Sequence, residues 1–330
     1  MKVLVVKLSS LGDVIHTLPA LGDAEAALGD VSFDWVVEEA FAEVPAWHRA
    51  VDRVIPVAIR RWRKRPVRDF TGPEWRAALA AMRERHYDAV IDAQGLLKSA
   101  FIARLVSAPR YGMDKASARE QLASLAYDHP ISVARDMHAV ERTRALFASA
   151  LDYPLPDALG DYGLGAAVAP ARELPAGLLF LHGSARDKKL WPEERWLALL
   201  QMAEQSGYRV WFPWGDEEEH QRARRIAGRA DNAEVLPRLN LRELAGWLLS
   251  VNGVVAVDTG LGHLSAALSV PTVSLYGPTS TRLVGAYGRN QVHLQSPLAG
   301  GDITDPAVLM QAITPIATWQ ALQAAMAGAG

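Results

Sequence analysis

Short β-branched apolar runs alternate along the chain with longer stretches in which apolar residues recur at helical spacing. KVLVV (2–6), FDWVV (33–37), DRVIPV (52–57) and DAVIDA (88–93) are runs of the first kind. Such alternation predicts βαβ units and a parallel sheet. The pattern returns after residue 177 with LLFLH (178–182), YRVWF (208–212), AEVL (233–236), VVAVD (254–258) and TVSLY (272–276). Residues 152–177 between the two series are rich in proline and glycine and keep no period, as an inter-domain connection does. The expectation is an α/β chain of two Rossmann-like, doubly wound domains, residues 1–160 and 175–304. Ligands of such sheets bind beyond the carboxyl ends of the strands, so a crevice between facing domains is the expected site.

Composition then narrows the chemistry. The chain has 330 residues, half of them hydrophobic, which suffices for two cores. Its 35 Lys and Arg nearly balance 37 Asp and Glu, so nothing draws the whole molecule to nucleic acid, and an anionic partner must meet a local basic patch. The lack of cysteine excludes disulfides, a thiolate nucleophile and a Cys-ligated metal. The apolar run at the N-terminus is too short for a signal-peptide core, and no stretch reaches the length of a membrane span. A cytoplasmic protein able to touch a membrane surface is expected.

Four stretches carry candidate chemistry. In VKLSSLGDVIH (6–16), Asp13 follows a strand-end loop of small residues. It reads either as a helix cap or as a carboxylate aimed at the crevice to take a proton from a hydroxyl; His16 reads as structural. SSLGD has neither the G-x-G-x-x-G spacing nor a P-loop, which disfavours nicotinamide enzymes and P-loop NTPases. In VVAVDTGLGHLS (254–265), the small residues after a strand read as a capped turn or as a phosphate-binding helix start, with Thr259 and His263 as added donors. In LHGSARDKKLWP (181–192), Arg186, Lys188 and Lys189 read as solvated or as neutralising a pyrophosphate. In RRWRKR (60–65), Arg60, Arg61, Arg63 and Lys64 surround Trp62. They read as solvated surface or as a site for phosphate and carboxylate groups, with Arg119 on a later loop joining them; Trp62 either meets a lipid boundary or anchors the loop.

Taken as a set, VKLSSLGDVIHTLPAL, DAVIDAQGLLKSA, HAVERTRALF, HGSARDKKLWPEERW, PWGDEEEH and VDTGLGHLSAALSVPTVSLYGPT resemble the lipopolysaccharide heptosyltransferases of glycosyltransferase family 9. The branch that adds the first heptose is the nearer match, and the branch that adds the second is the alternative. The resemblance implies a GT-B fold, with the acceptor on the N-terminal half, ADP-heptose on the C-terminal half, and a last helix (305–327) packed back on the first domain. It implies inverting transfer of L-glycero-D-manno-heptose from ADP-heptose to the inner Kdo of Kdo2-lipid A, at the cytoplasmic face of the inner membrane.

Carried over by position, Asp13 matches the general base, and Lys189, with Lys188 beside it, the lysine serving the donor phosphates. Asp258, Thr259, Gly260, Leu261, Gly262 and His263 match the donor loop, Glu219 an acid near the adenosine ribose, and Ser184 a hydroxyl facing the diphosphate, a contact that Ala185 cannot make. Arg60, Arg61, Arg63, Lys64 and Arg119 are the candidate acceptor contacts. The chain lacks a D-x-D stretch for a metal-bridged sugar nucleotide, so no obligatory metal or other cofactor is expected, although ADP itself binds Mg²⁺. The rivals are a sugar-nucleotide epimerase of the same fold and a non-enzymatic module that docks on anionic lipid or nucleic acid through RRWRKR.

Overall fold

The computed structural model describes residues 1–164, 167–171 and 174–328, so residues 165, 166, 172 and 173 of the proline- and glycine-rich connection lie outside the described residues. The chain divides into two compact units, Met1–Ala167 and Val168–Gly330, with the boundary inside that connection.

The first unit is built on β1 (Lys2–Val6), β2 (Ser32–Glu38), β3 (Val51–Val57), β4 (Ala89–Asp92), β5 (Arg110–Met113) and β6 (His129–Ile131). All pairs are parallel and the strand order is β3-β2-β1-β4-β5-β6. Val3 to Val6 are fully buried, as expected of a central parallel strand covered on both faces. Leu4, Val6, Ile55, Trp62, Trp75 and Met82 share one core cluster. A second anchor is polar. Arg144, on the helix Ala139–Leu151 with its side chain 2 % exposed, donates to both carboxylate oxygens of Asp23 (2.6 and 3.3 Å) and of Glu141 (2.9 Å each). It also donates to the carbonyls of Pro156 and Ala158 (3.2 and 2.8 Å), tying the start of the connection to the unit.

The second unit repeats the winding with β7 (Gly177–Leu181), β8 (Arg209–Phe212), β9 (Ala233–Val235), β10 (Gly253–Val257), β11 (Thr272–Tyr276) and β12 (Gln291–Gln295), ordered β12-β11-β10-β7-β8-β9. In each sheet the order reverses between two strands, β1 with β4 and β7 with β10. A cleft for ligands opens at such a point, beyond the strand ends.

Three strands went unseen in the apolar pattern: β5 (RYGM), β6 (HPI) and β12 (QVHLQ). Each lies toward a sheet edge, where glycine, proline and polar side chains are tolerated. The last helix, Pro315–Ala327, expected on the first half, packs on the second sheet instead. Trp319 and Leu322 join the core of Leu178, Phe180 and Trp196, and the Leu322 and Met326 side chains lie against Gly253, where a Cβ would stand 3.0 Å from Leu322 Cδ1.

Candidate active site

Beyond β1 the chain passes through Lys7, Leu8 and Ser9 before the short helix Leu11–Ile15. The loop is held from β4. Lys7 Nζ donates to the Ala93 carbonyl (2.8 Å), the Leu8 amide donates to Gln94 Oε1 (2.7 Å), and Gln94 Nε2 donates to the Ser9 carbonyl (3.1 Å). Asp13, in the first turn of the helix, accepts from the Ser10 amide and hydroxyl, both at 2.9 Å and both on Oδ2. Its other oxygen, Oδ1, accepts no hydrogen bond among the described residues. The cap and the base readings therefore occupy different oxygens of one carboxylate.

The surroundings keep that carboxylate ionised. Burial works to raise the Asp13 pKa, but the Lys7 ammonium, the two Ser10 donors and Arg119 outweigh it and hold the group below the usual range. Burial lowers the Lys7 pKa, opposed by Asp13 and Asp92. Asp92, fully buried and raised by that burial, accepts from the amides of Gln94 and Gly95 (2.9 and 3.2 Å) and from Tyr127 Oη (2.8 Å).

More cations gather near the same loop. Lys98 Nζ donates to Ser9 Oγ at 3.3 Å; burial lowers its pKa, Glu38 opposes this, and Arg60 and Arg63 reinforce it. Glu38 closes β2 and accepts from the Arg60 amide (3.1 Å), while the Arg60 guanidinium stands 5.5 Å over the Phe41 ring. The basic run is thus divided. Arg61 is engaged by Glu39 (3.2 Å) and Glu74 (2.8 Å). Trp62 is buried, donates to Glu74 Oε2 (2.9 Å) and packs edge-on against Phe70 and Trp75, which makes it the anchor of the run. Arg63 and Lys64 are exposed, as is Arg119. Lys7, Gln94, Lys98 and Glu38 had no role in the sequence reading; a lysine ending an apolar strand and a Gln-Gly pair after β4 were the available signals.

In the second unit the loops after β7 and β10 meet. Ser184 Oγ donates to the Asp258 carbonyl (3.2 Å), and Lys189 Nζ stands 2.6 Å from Asp258 Oδ2, an ion pair without hydrogen-bond alignment. Lys188, the neighbour, is exposed, so of the two lysines it is Lys189 that reaches the loop. Thr259 precedes the helix Gly260–Ala267, whose first amides an α-helix cannot pair internally. Gly262 lies against β10, where a Cβ would be 3.2 Å from that of Ala256, and His263 is buried.

Glu219 comes to the same place from the helix Glu217–Ala227. It accepts from the Gly215 amide (2.7 Å) and roofs Gly183, where a Cβ would fall 2.1 Å from Glu219 Oε1. Burial raises its pKa. His182, beside Gly183, is buried, and that burial lowers its pKa to about 4 against the opposing pull of the Pro213 backbone, so it is neutral; sequence reasoning gave it no role.

Both loci fit phosphate or sugar-nucleotide chemistry, and neither holds a group of three or more metal-ligating side chains among the described residues. The sequence profile of Glycosyltransferase family 9 (heptosyltransferase) matches residues 75–302. The chain belongs to this family. This glycosyltransferase is 56 % identical to lipopolysaccharide heptosyltransferase 1 of Pseudomonas aeruginosa over 298 residues, 90 % of this chain and 84 % of that protein. Among solved structures it resembles the E. coli heptosyltransferase WaaC with ADP, at TM-score 0.91 and 45 % identity over 98 % of this chain and all of the other. The same E. coli enzyme with ADP-2-deoxy-2-fluoro heptose matches at TM-score 0.86 and 44 % identity, covering 98 % of this chain and 99 % of that one. The two-unit α/β architecture of this glycosyltransferase is accordingly of the GT-B type.

Proposed function

We propose that the protein transfers L-glycero-D-manno-heptose from ADP-heptose to the inner Kdo of Kdo2-lipid A, with inversion at the anomeric carbon and Asp13 as general base. The observation that carries this reading is the division of labour on Asp13: Oδ2 is satisfied by Ser10, and Oδ1 accepts no hydrogen bond among the described residues. A base must be ionised and must keep a lone pair for the incoming proton, and this carboxylate meets both conditions. The acceptor hydroxyl gives its proton to Oδ1 as its oxygen attacks the anomeric carbon and the bond to the diphosphate breaks. No covalent intermediate on the protein is needed.

The departing ADP carries growing negative charge. Lys189, the first amides of the helix Gly260–Ala267, Ser184 and His263 lie at the loops where that charge would be met, and such preorganised donors act with little reorganisation. Glu219, over Gly183, suits a ribose hydroxyl. These groups supply the stabilisation that a metal would otherwise give, so turnover is expected to survive a chelator. Arg60, Arg63, Lys64 and Arg119, with Lys98 among them, form a cationic surround suited to the carboxylates and phosphates of the acceptor. Arg61 contributes less, because Glu39 and Glu74 already engage it.

Incubation with ADP-heptose and Kdo2-lipid A in the presence of EDTA, followed by mass analysis of the lipid, tests the reading. One added heptose per lipid is expected. If only an already heptosylated lipid gains mass, the second-heptose reaction replaces this one. Conversion of the donor without acceptor would point to an epimerase instead.

A further inference from the structure

Leu97, Phe101, Leu122 and Leu125 are 51, 54, 63 and 77 % exposed, and they sit on two segments that pack together, the helix Leu97–Ala103 and the 3-10 turn Gln121–Ala126. What the two segments bury between them is small: Ala100, Ala123 and Ala126, with Tyr127. The usual ordering is inverted, with alanines inside and leucines and phenylalanine outside, and a contiguous exposed apolar face of this kind marks an interaction surface. The segments are also fastened backbone to side chain, since the Leu97 amide donates to Glu120 Oε2 (2.6 Å) and the Glu120 amide to the Gly95 carbonyl (3.0 Å).

Charge says what covers this face. Residues 97–126 hold five Lys and Arg against two Asp and Glu, in a chain whose net charge is −2. Arg104, Lys115 and Arg119 are exposed along the same segments. The face is also continuous with the basic run: Phe101 stacks on Trp75 (6.4 Å, 15° between planes), and Trp75 packs against Trp62, which carries the arginines. Exposed apolar side chains on a stretch with an excess of cations match the boundary between acyl chains and anionic headgroups, whereas a partner protein would need its own acidic rim.

We propose that Leu97, Phe101, Leu122 and Leu125 form the face by which the protein seats on an anionic lipid bilayer, with Arg104 and Lys115 meeting headgroup phosphates. The proposal rests on the reading above that the acceptor is a lipid, and it adds which surface meets the bilayer that holds it. The four side chains enter the acyl boundary, and the cationic surround of Asp13 continues from its edge.

The test uses the full chain and vesicles of phosphatidylcholine, alone or mixed with phosphatidylglycerol, in co-sedimentation. The protein is expected on the mixed vesicles and much less on the neutral ones. The double variant Leu122→Ser/Leu125→Ser is expected to lose about tenfold or more of that binding, since interfacial affinity follows buried apolar area. Its ADP affinity and its turnover of a water-soluble, deacylated Kdo acceptor should match the parent. Undiminished vesicle binding by the double variant overturns the proposal, as does a parent that ignores both vesicles. A concentration-dependent dimer that the double variant abolishes would assign the face to a second copy of the chain and also overturn it. Absence of heptose transfer to every Kdo-bearing acceptor, with vesicle binding intact, would defeat the acceptor reading and leave the docking face standing.

Discussion

Asp13→Asn tests the proposed base separately from the contacts that Asp13 makes at the helix start. The asparagine amide oxygen can accept the same Ser10 contacts, so the variant should keep the helix start while losing one negative charge beside Lys7. The position of Oδ1 then passes to an NH2 group, which donates and cannot take a proton. General-base catalysis is typically worth 10²- to 10⁴-fold, or about 2.7–5.4 kcal/mol in the barrier, and kcat should fall within that span. The pH profile gives an independent sign. Because the Asp13 pKa is held below its ordinary 3.8, the base stays ionised as pH falls toward that value and protonates only beneath it. The parent should therefore show no acid loss of kcat/KM from neutrality down to about pH 5, and Ser10→Ala should move its acid limb upward by removing one stabilising donor. The assay is ADP release against pH, with calorimetric ADP titration to show an intact donor site. A kcat within tenfold of the parent, or an acid limb well above pH 5 that Asp13→Asn leaves in place, would return Asp13 to the role of a cap.

Three further outcomes are expected. Lys189→Ala should weaken ADP binding about tenfold or more, as loss of a charge-assisted contact does, while Lys188→Ala changes it little; calorimetry compares them. Replacing Arg60, Arg63 and Lys64 together with Ala should raise the acceptor KM and flatten its salt dependence with ADP affinity unchanged, and Arg61→Ala alone should barely alter that KM, because its ion pairs with Glu39 and Glu74 lie at the exposed surface. Arg144→Met would leave Asp23 buried without its partner and should cost about 3–5 kcal/mol, a fall in Tm on the order of ten degrees for a unit of this size, read by thermal unfolding.

Much of this was legible along the chain, and the misses share a cause. Strands that are apolar nearly throughout, such as β1 and β10, announce themselves, because burial on both faces leaves little room for polar side chains. The loops after them could be picked out as candidate sites, since glycine, serine and aspartate directly after such a run read either as a turn or as a ligand-facing loop. The hidden part depends on which strands become neighbours. Lys7 and Gln94 gain their roles because β4 lies beside β1, bringing together residues 86 positions apart. Trp62 left two options open until Trp75 and Phe70 were seen to enclose it. The last helix was misplaced because its apolar residues fit several surfaces, and the surface it covers is set by residues far along the chain, such as Leu178, Phe180 and Trp196, whose core Trp319 and Leu322 join.

The identical winding of the two sheets has a consequence for how such a protein can change. Each unit has its own order reversal and its own core: among the described residues, the cluster around Trp196 draws on the second unit and the cluster around Trp75 on the first. Substitutions in the loops after β1 and β4 can thus drift without disturbing the packing beneath the loops after β7 and β10. A lineage built this way is modular. One half can keep its loops constant while the other varies its own, and exchange of whole halves between relatives should more often yield a folded chimera than exchange of a segment from within either sheet.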